Sequence, residues 1–247
     1  MLNSNPIIKK LDEYSRLEND EQQVMTVSGT LTSLALLSVL MIIPAVICWN
    51  YIAIGALDRA IIMFYGGLAI AFILGLIIPF KPQWSPYLAP IYAVCEGAAI
   101  GGLSALVEKQ AAGIVIQAAG ATFLTIFVML TLYKANIIRA TEKFQAVILT
   151  SLFAILGLYL VSFITSLFGF NAIANFLWGN SIASIVISAV ICVIASLCLI
   201  LDFDRIERFS QSNAPTFMNW YCAYGLLVTV VWMYVEFLRL FLKIRQK

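Results

Sequence analysis

Histidine is absent from this 247-residue chain. That excludes a histidine metal ligand, a Ser-His triad and a histidine-based pH switch. Charge is scarce as well: only 11% of residues are Asp, Glu, Lys or Arg, against about a quarter in soluble domains. The formal net charge is +2, with no basic run before the last few residues, so nucleic acid is not an expected partner. No G-x-x-x-x-G-K-[ST], G-x-G-x-x-G, H-E-x-x-H or G-x-S-x-G pattern occurs. The expectation is a protein that is not an enzyme and carries no cofactor. The five cysteines are Cys48, Cys95, Cys192, Cys198 and Cys222, an odd number without C-x-x-C spacing. All lie in apolar stretches and read as small packing residues.

What the chain has is apolar length. Hydrophobic residues make up 62% of it, and the mean hydropathy is +0.95, which places it among integral membrane proteins. A hydrocarbon core about 30 Å thick takes roughly 20 residues of helix. Seven segments qualify, at 27–49, 60–80, 87–107, 111–133, 145–168, 181–210 and 216–243. The expected fold class is therefore an all-α integral membrane protein, a seven-helix membrane domain over 27–247 behind a polar tail at 1–26. Barrel strands are excluded, because they need only about 10 alternating residues. The connector Lys81-Pro82-Gln83-Trp84-Ser85-Pro86 suits a membrane interface. Loop signals at Gly169-Phe170-Asn171 and Trp178-Gly179-Asn180 split the longest apolar run. The tail is polar and mixed in charge, so the run from Val27 reads as an anchor rather than a signal core. Ile7, Ile8, Leu11 and Tyr14 suit either a short interfacial helix or a solvated tail.

Loop charges orient the bundle. Six basic residues fall in inter-helix loops on the N-terminal side and two on the other. The positive-inside rule then puts the N-terminus in the cytoplasm. The basic C-terminal tail argues the other way, which a six-span arrangement with one re-entrant segment would accommodate.

Ionisable groups inside the apolar segments are the candidate functional residues, since each costs about 2.5–3.5 kcal/mol at the bilayer centre. Glu96 sits inside the third span, beside Gly97 and Gly101, a small-xxx-small pair that admits a neighbouring helix. It reads either as an acid lining a cation path or as a protonated helix–helix contact. Glu236 has Arg239 three residues on, the spacing of a local ion pair. The run from Phe144 to Leu201 holds 58 residues without one charge, and then five of the seven residues Asp202 to Arg208 are charged. Asp202 is the deeper acid, with Arg205 three residues on; Asp204 has Arg208 four residues on and reads as a solvated face. Without histidine, a pH response near neutrality has to come from carboxylates. Carboxylates are also the hard oxygen ligands Ca²⁺ prefers, so Asp202, Glu96 and Glu236 are the candidate metal-binding acids.

Four stretches together carry a family resemblance. They are Met25-Thr26-Val27-Ser28-Gly29; Leu88-Ala89-Pro90-Ile91-Tyr92-Ala93 leading to Glu96-Gly97; Ile138-Arg139-Ala140-Thr141-Glu142-Lys143-Phe144; and Leu201-Asp202-Phe203-Asp204-Arg205-Ile206-Glu207. In order and spacing they resemble the bacterial branch of the Bax inhibitor family, the transmembrane Bax-inhibitor-motif superfamily. The resemblance implies a seven-helix bundle with the C-terminal helix near the centre. It also implies a pH-sensitive Ca²⁺ leak governed by two acids, on the sixth and seventh helices, that share a proton. Asp202 matches the first position, and Glu236 looks like the second with Glu replacing Asp. Counting along the helices sets these two about 18 Å apart in depth. The expected function is a membrane cation leak gated by Asp202, Glu236 and Glu96, with Asp204, Arg205 and Arg139 in secondary roles. Ca²⁺ is the expected transported ion, and the bilayer, Ca²⁺ and H⁺ are the expected partners. The alternative is a non-conducting regulator that binds other membrane proteins, such as quality-control proteases. The resemblance implies a bacterial inner (plasma) membrane location.

Overall fold

The computed structural model describes residues 24–247. The tail before them, with the helix expected near Ile7, Ile8, Leu11 and Tyr14, lies outside the described residues. Seven helices are long and apolar enough to cross a membrane: α1 (Val27–Ala53), α2 (Leu57–Phe80), α3 (Ser85–Gln110), α4 (Ile114–Lys134), α5 (Glu142–Leu167), α7 (Ile182–Gln211) and α8 (Phe217–Arg245). Among the described residues there are no strands, only one antiparallel bridge between Val24 and Pro215. The protein is an all-α integral membrane bundle.

Local chemistry sets the helix starts. Thr26, Thr141 and Ser181 accept from the backbone N–H three residues on, at 2.9, 3.2 and 3.1 Å, which satisfies one orphan donor at each N-terminus. The Thr141 cap starts α5 at Glu142, inside the loop the composition suggests. The loop expected at 169–180 also contains a short helix, α6 (Ala172–Trp178). Its seven residues are too few to show a period in the sequence. Gly113 ends the α3–α4 turn at φ +87°, a left-handed conformation suited to glycine.

The C-terminal helix α8 is the hub. Its side chains meet every other helix. Asn219 accepts from Thr30 of α1 at 3.1 Å. Tyr224 donates to the Gly75 carbonyl of α2 at 3.3 Å. Tyr234 pairs with Ser104 of α3 at 2.7 Å. Leu238 packs on Ile114 and Ala118 of α4. Glu236 accepts from Tyr159 of α5 at 2.9 Å. Lys243 donates to the Leu177 carbonyl of α6 and, at 2.7 Å, to Ser188 of α7.

These contacts also fix the register. Helices α7 and α8 run antiparallel, with Ser188 against Lys243 and Ser196 against Met233. That places Asp202 opposite Val228 and Thr229. Helix α3 runs parallel to α8, with Ser85 against Phe217, Tyr92 against Tyr224 and Ser104 against Tyr234. That places Glu96 at the same level as Asp202. Glu236 lies seven or eight residues further along α8, about 11 Å higher. The 18 Å expected from counting shrinks because Asp202 pairs with the middle of α8, not with its first turns.

Candidate functional site: an acid layer beside the central helix

Asp202 is buried, with 7% of its surface exposed. Its Oδ1 meets Arg205 Nη1 at 3.5 Å, a long ion pair to a half-exposed guanidinium. Thr229 faces it from α8. The Thr229 hydroxyl, however, donates back to the Gly225 carbonyl at 3.2 Å. Oδ2 of Asp202 is left without a hydrogen-bond partner among the described residues. Buried polar atoms are almost always paired, so this oxygen marks a place where a proton, a water or a cation would be held.

The space beside it is a cavity of about 400 Å³ between α2, α5, α7 and α8, lined by Asp202, Arg205, Tyr221, Tyr224 and Thr229 among others. A second cavity of about 260 Å³ shares Leu149, Leu201 and Arg205 with the first and reaches Asp204 and Arg208. The two together run from the buried carboxylate toward the end of α7. Asp204 is committed there, to Arg208 at 2.7 Å and to Gln145 at 3.5 Å.

Glu96 reaches the same layer from the other side. It is half-buried on α3, and the Tyr92 side chain, one turn earlier, is its electrostatic neighbour. Tyr92 packs edge-on against Tyr224, with ring centroids 4.9 Å apart. Tyr224 lines the Asp202 cavity. Glu96 and Asp202 are therefore joined through two tyrosines and a cavity. Gly97 and Gly101 make room for this: a Cβ on either would meet the α1 backbone carbonyl of Met41 or Ala45.

Glu236 belongs elsewhere. It is 1% exposed, and both its oxygens are taken: Oε1 by Tyr159 at 2.9 Å and Trp232 at 3.1 Å, Oε2 by Arg239 at 3.1 Å. Arg239 also donates to Tyr159 at 2.6 Å and stacks over Trp178, 4.0 Å from its centroid. Asp202 and Glu236 share no hydrogen-bond partner and are linked only through Trp232, which lines the Asp202 cavity and donates to Glu236, so the two carboxylates do not meet as the acid pair that the resemblance implies. The physical reason is the register, which puts Tyr159 and Arg239, not Asp202, at the level of Glu236. Among the described residues no three acids or cysteines gather as metal ligands, so the three candidate Ca²⁺ acids do not form one ligand set. Arg139 is exposed in the loop after α4 and faces a different groove.

Sequence reasoning missed several residues. The tyrosines 92, 159 and 224 and Trp178 sit in apolar runs where nothing marks them as polar partners. Lys243 is buried and bonded to Ser184 at 2.8 Å and Ser188 at 2.7 Å. Its seven-residue spacing from Glu236, through Arg239, was the available signal for a shared helix face.

A bundle of seven apolar helices around a C-terminal hub, with carboxylates held at mid-depth, defines an integral membrane protein whose polar interior is built from a few acids and tyrosines. A family model described as Bax inhibitor 1 like matches residues 5–246, and the chain belongs to that family. No curated protein and no solved structure gives a match.

Proposed function

We propose that this protein is a membrane cation leak, with Ca²⁺ as the transported ion, whose opening follows the protonation of Asp202. The observation that carries the reading is the unpartnered Oδ2 of Asp202 beside a cavity. An acid whose second oxygen is unpaired beside open space can take up a proton or a cation. Neutralising it releases its hold on Arg205, the one charged residue that the two adjoining cavities share. In this reading Glu96 is the acid of the same layer on the far side of Tyr92 and Tyr224. Glu236 is a locked ion pair that closes the other end of the bundle. The cavity end of the bundle carries most of the loop lysines and arginines, which supports placing it, with the N-terminus, in the cytoplasm of a bacterial inner membrane.

The test is Ca²⁺ efflux from proteoliposomes measured across acidic to neutral pH. The wild type is expected to show a pH-dependent leak and Asp202→Asn a flat profile. A pH profile unchanged in Asp202→Asn removes the role given to Asp202. No leak from well-folded wild-type protein favours the non-conducting regulator instead.

A further inference from the structure

A groove outside the acid layer has its own chemistry. It runs between α1 and α4, is floored by α7 and has a volume of about 870 Å³, within the range of ligand sites. Helices α1 and α4 do not pack closely on one another. The walls along the spans are apolar, with Leu31 and Leu34 from α1 and Ile126 and Leu130 from α4. At its end the groove carries Lys134, the last residue of α4, and Arg139 from the loop beyond it. Both are exposed, and neither side chain has a polar partner among the described residues. Of the acids nearby, Asp204 is paired with Arg208, whereas Glu207 hydrogen-bonds only the neutral Tyr133 and Gln211, so the lining cations Lys134, Arg139 and Arg208 outnumber the lining acids Asp204 and Glu207. The result is a hydrocarbon-lined slot ending at two uncommitted cations.

A phospholipid has the matching halves, a hydrocarbon chain and a phosphate. Leu31, on the slot wall, is 54% exposed at a depth where the bilayer supplies acyl chains. We infer that this groove binds one anionic phospholipid, with an acyl chain between Leu31 and Leu130 and its phosphate on Lys134 and Arg139. Basic pockets between membrane helices take anionic headgroups in this way. Two unpaired cations select an anionic headgroup over a zwitterionic one, whose own ammonium would repel them. The groove shares no lining residue with the Asp202 cavity and meets the second cavity only at Asp204 and Arg208, so lipid binding is read independently of Ca²⁺ flux.

Native mass spectrometry of the full chain in neutral detergent tests the inference, with phosphatidylglycerol and phosphatidylcholine titrated separately. The wild type is expected to hold one phosphatidylglycerol in preference to phosphatidylcholine. In Lys134→Gln/Arg139→Gln that preference should fall by roughly 25-fold, about fivefold for each cation removed. Arg59→Gln, at the opposite end of the bundle, should leave it unchanged. Leu130→Trp should fill the slot and lose the adduct while keeping both cations. An undiminished preference in the double glutamine variant would overturn the site. So would inorganic phosphate competing as well as the lipid does, since that means an anion site without a chain slot.

Discussion

Asp202 and Glu236 look alike in the sequence in one respect, each an acid followed three residues later by arginine. The structure separates them by what surrounds each carboxylate. Glu236 accepts three hydrogen bonds, and its arginine itself lies against the rings of Tyr159 and Trp178. Asp202 has one long contact and a free oxygen. Removing one partner from a buried ion pair leaves an uncompensated charge, which costs about 3–5 kcal/mol. Glu236→Ala should therefore lower the thermal stability of the detergent-solubilised protein sharply, because Arg239 is left at 15% side-chain exposure. Asp202→Asn breaks only a pair whose arginine is 45% exposed, and should cost about 1 kcal/mol or less. Equal melting losses in the two variants would contradict the assignment of Glu236 to stability and Asp202 to the site.

At the scale of elements, the spans were legible because a bilayer demands long apolar runs, and that demand is written directly in composition. Close packing was legible at one place, the Gly97–Gly101 pair, where four-residue spacing puts both glycines on one face. The structure brings the α1 backbone against that face. Helix α6 and the offset of α7 along α8 were not legible, since both depend on which side chains meet across the bundle. The family-implied acid pair failed for the same reason: it needed a register that no local pattern encodes. The glycine contact gives a direct test. A Cβ at Gly97 meets backbone, which cannot swing aside, so Gly97→Ala should destabilise by about 1–3 kcal/mol. Gly120 of α4 has open space where a Cβ would go. Gly120→Ala should be neutral or stabilise by up to about 1 kcal/mol through helix propensity. Thermal melts of the two variants in one detergent check the contrast, and a destabilised Gly120→Ala would show that propensity is overridden in this bundle.

Across the whole molecule, α8 divides the polar interior into two levels. The lower level holds Asp202 and Glu96, connected through Tyr224 and Tyr92. The upper level holds Glu236, Arg239 and Tyr159, bonded to one another, with Trp232 reaching from Glu236 to the wall of the Asp202 cavity. Residues that share a network couple energetically, whereas distant ones with no common partner act additively. The proposed leak makes this measurable as a double-mutant cycle on the pH profile of Ca²⁺ efflux. Asp202→Asn with Glu96→Gln should be non-additive, because each substitution alters the same connected layer. Asp202→Asn with Glu236→Gln should be closer to additive, because the levels are about 11 Å apart along the helix and meet only through Trp232. Tyr224→Phe, which keeps the ring but removes the hydroxyl bonded to Gly75, should weaken the Asp202–Glu96 coupling without abolishing the leak. If the strong coupling instead appears between Asp202 and Glu236, the two levels communicate through α8 itself, and the layer defined by the tyrosines is not the gate.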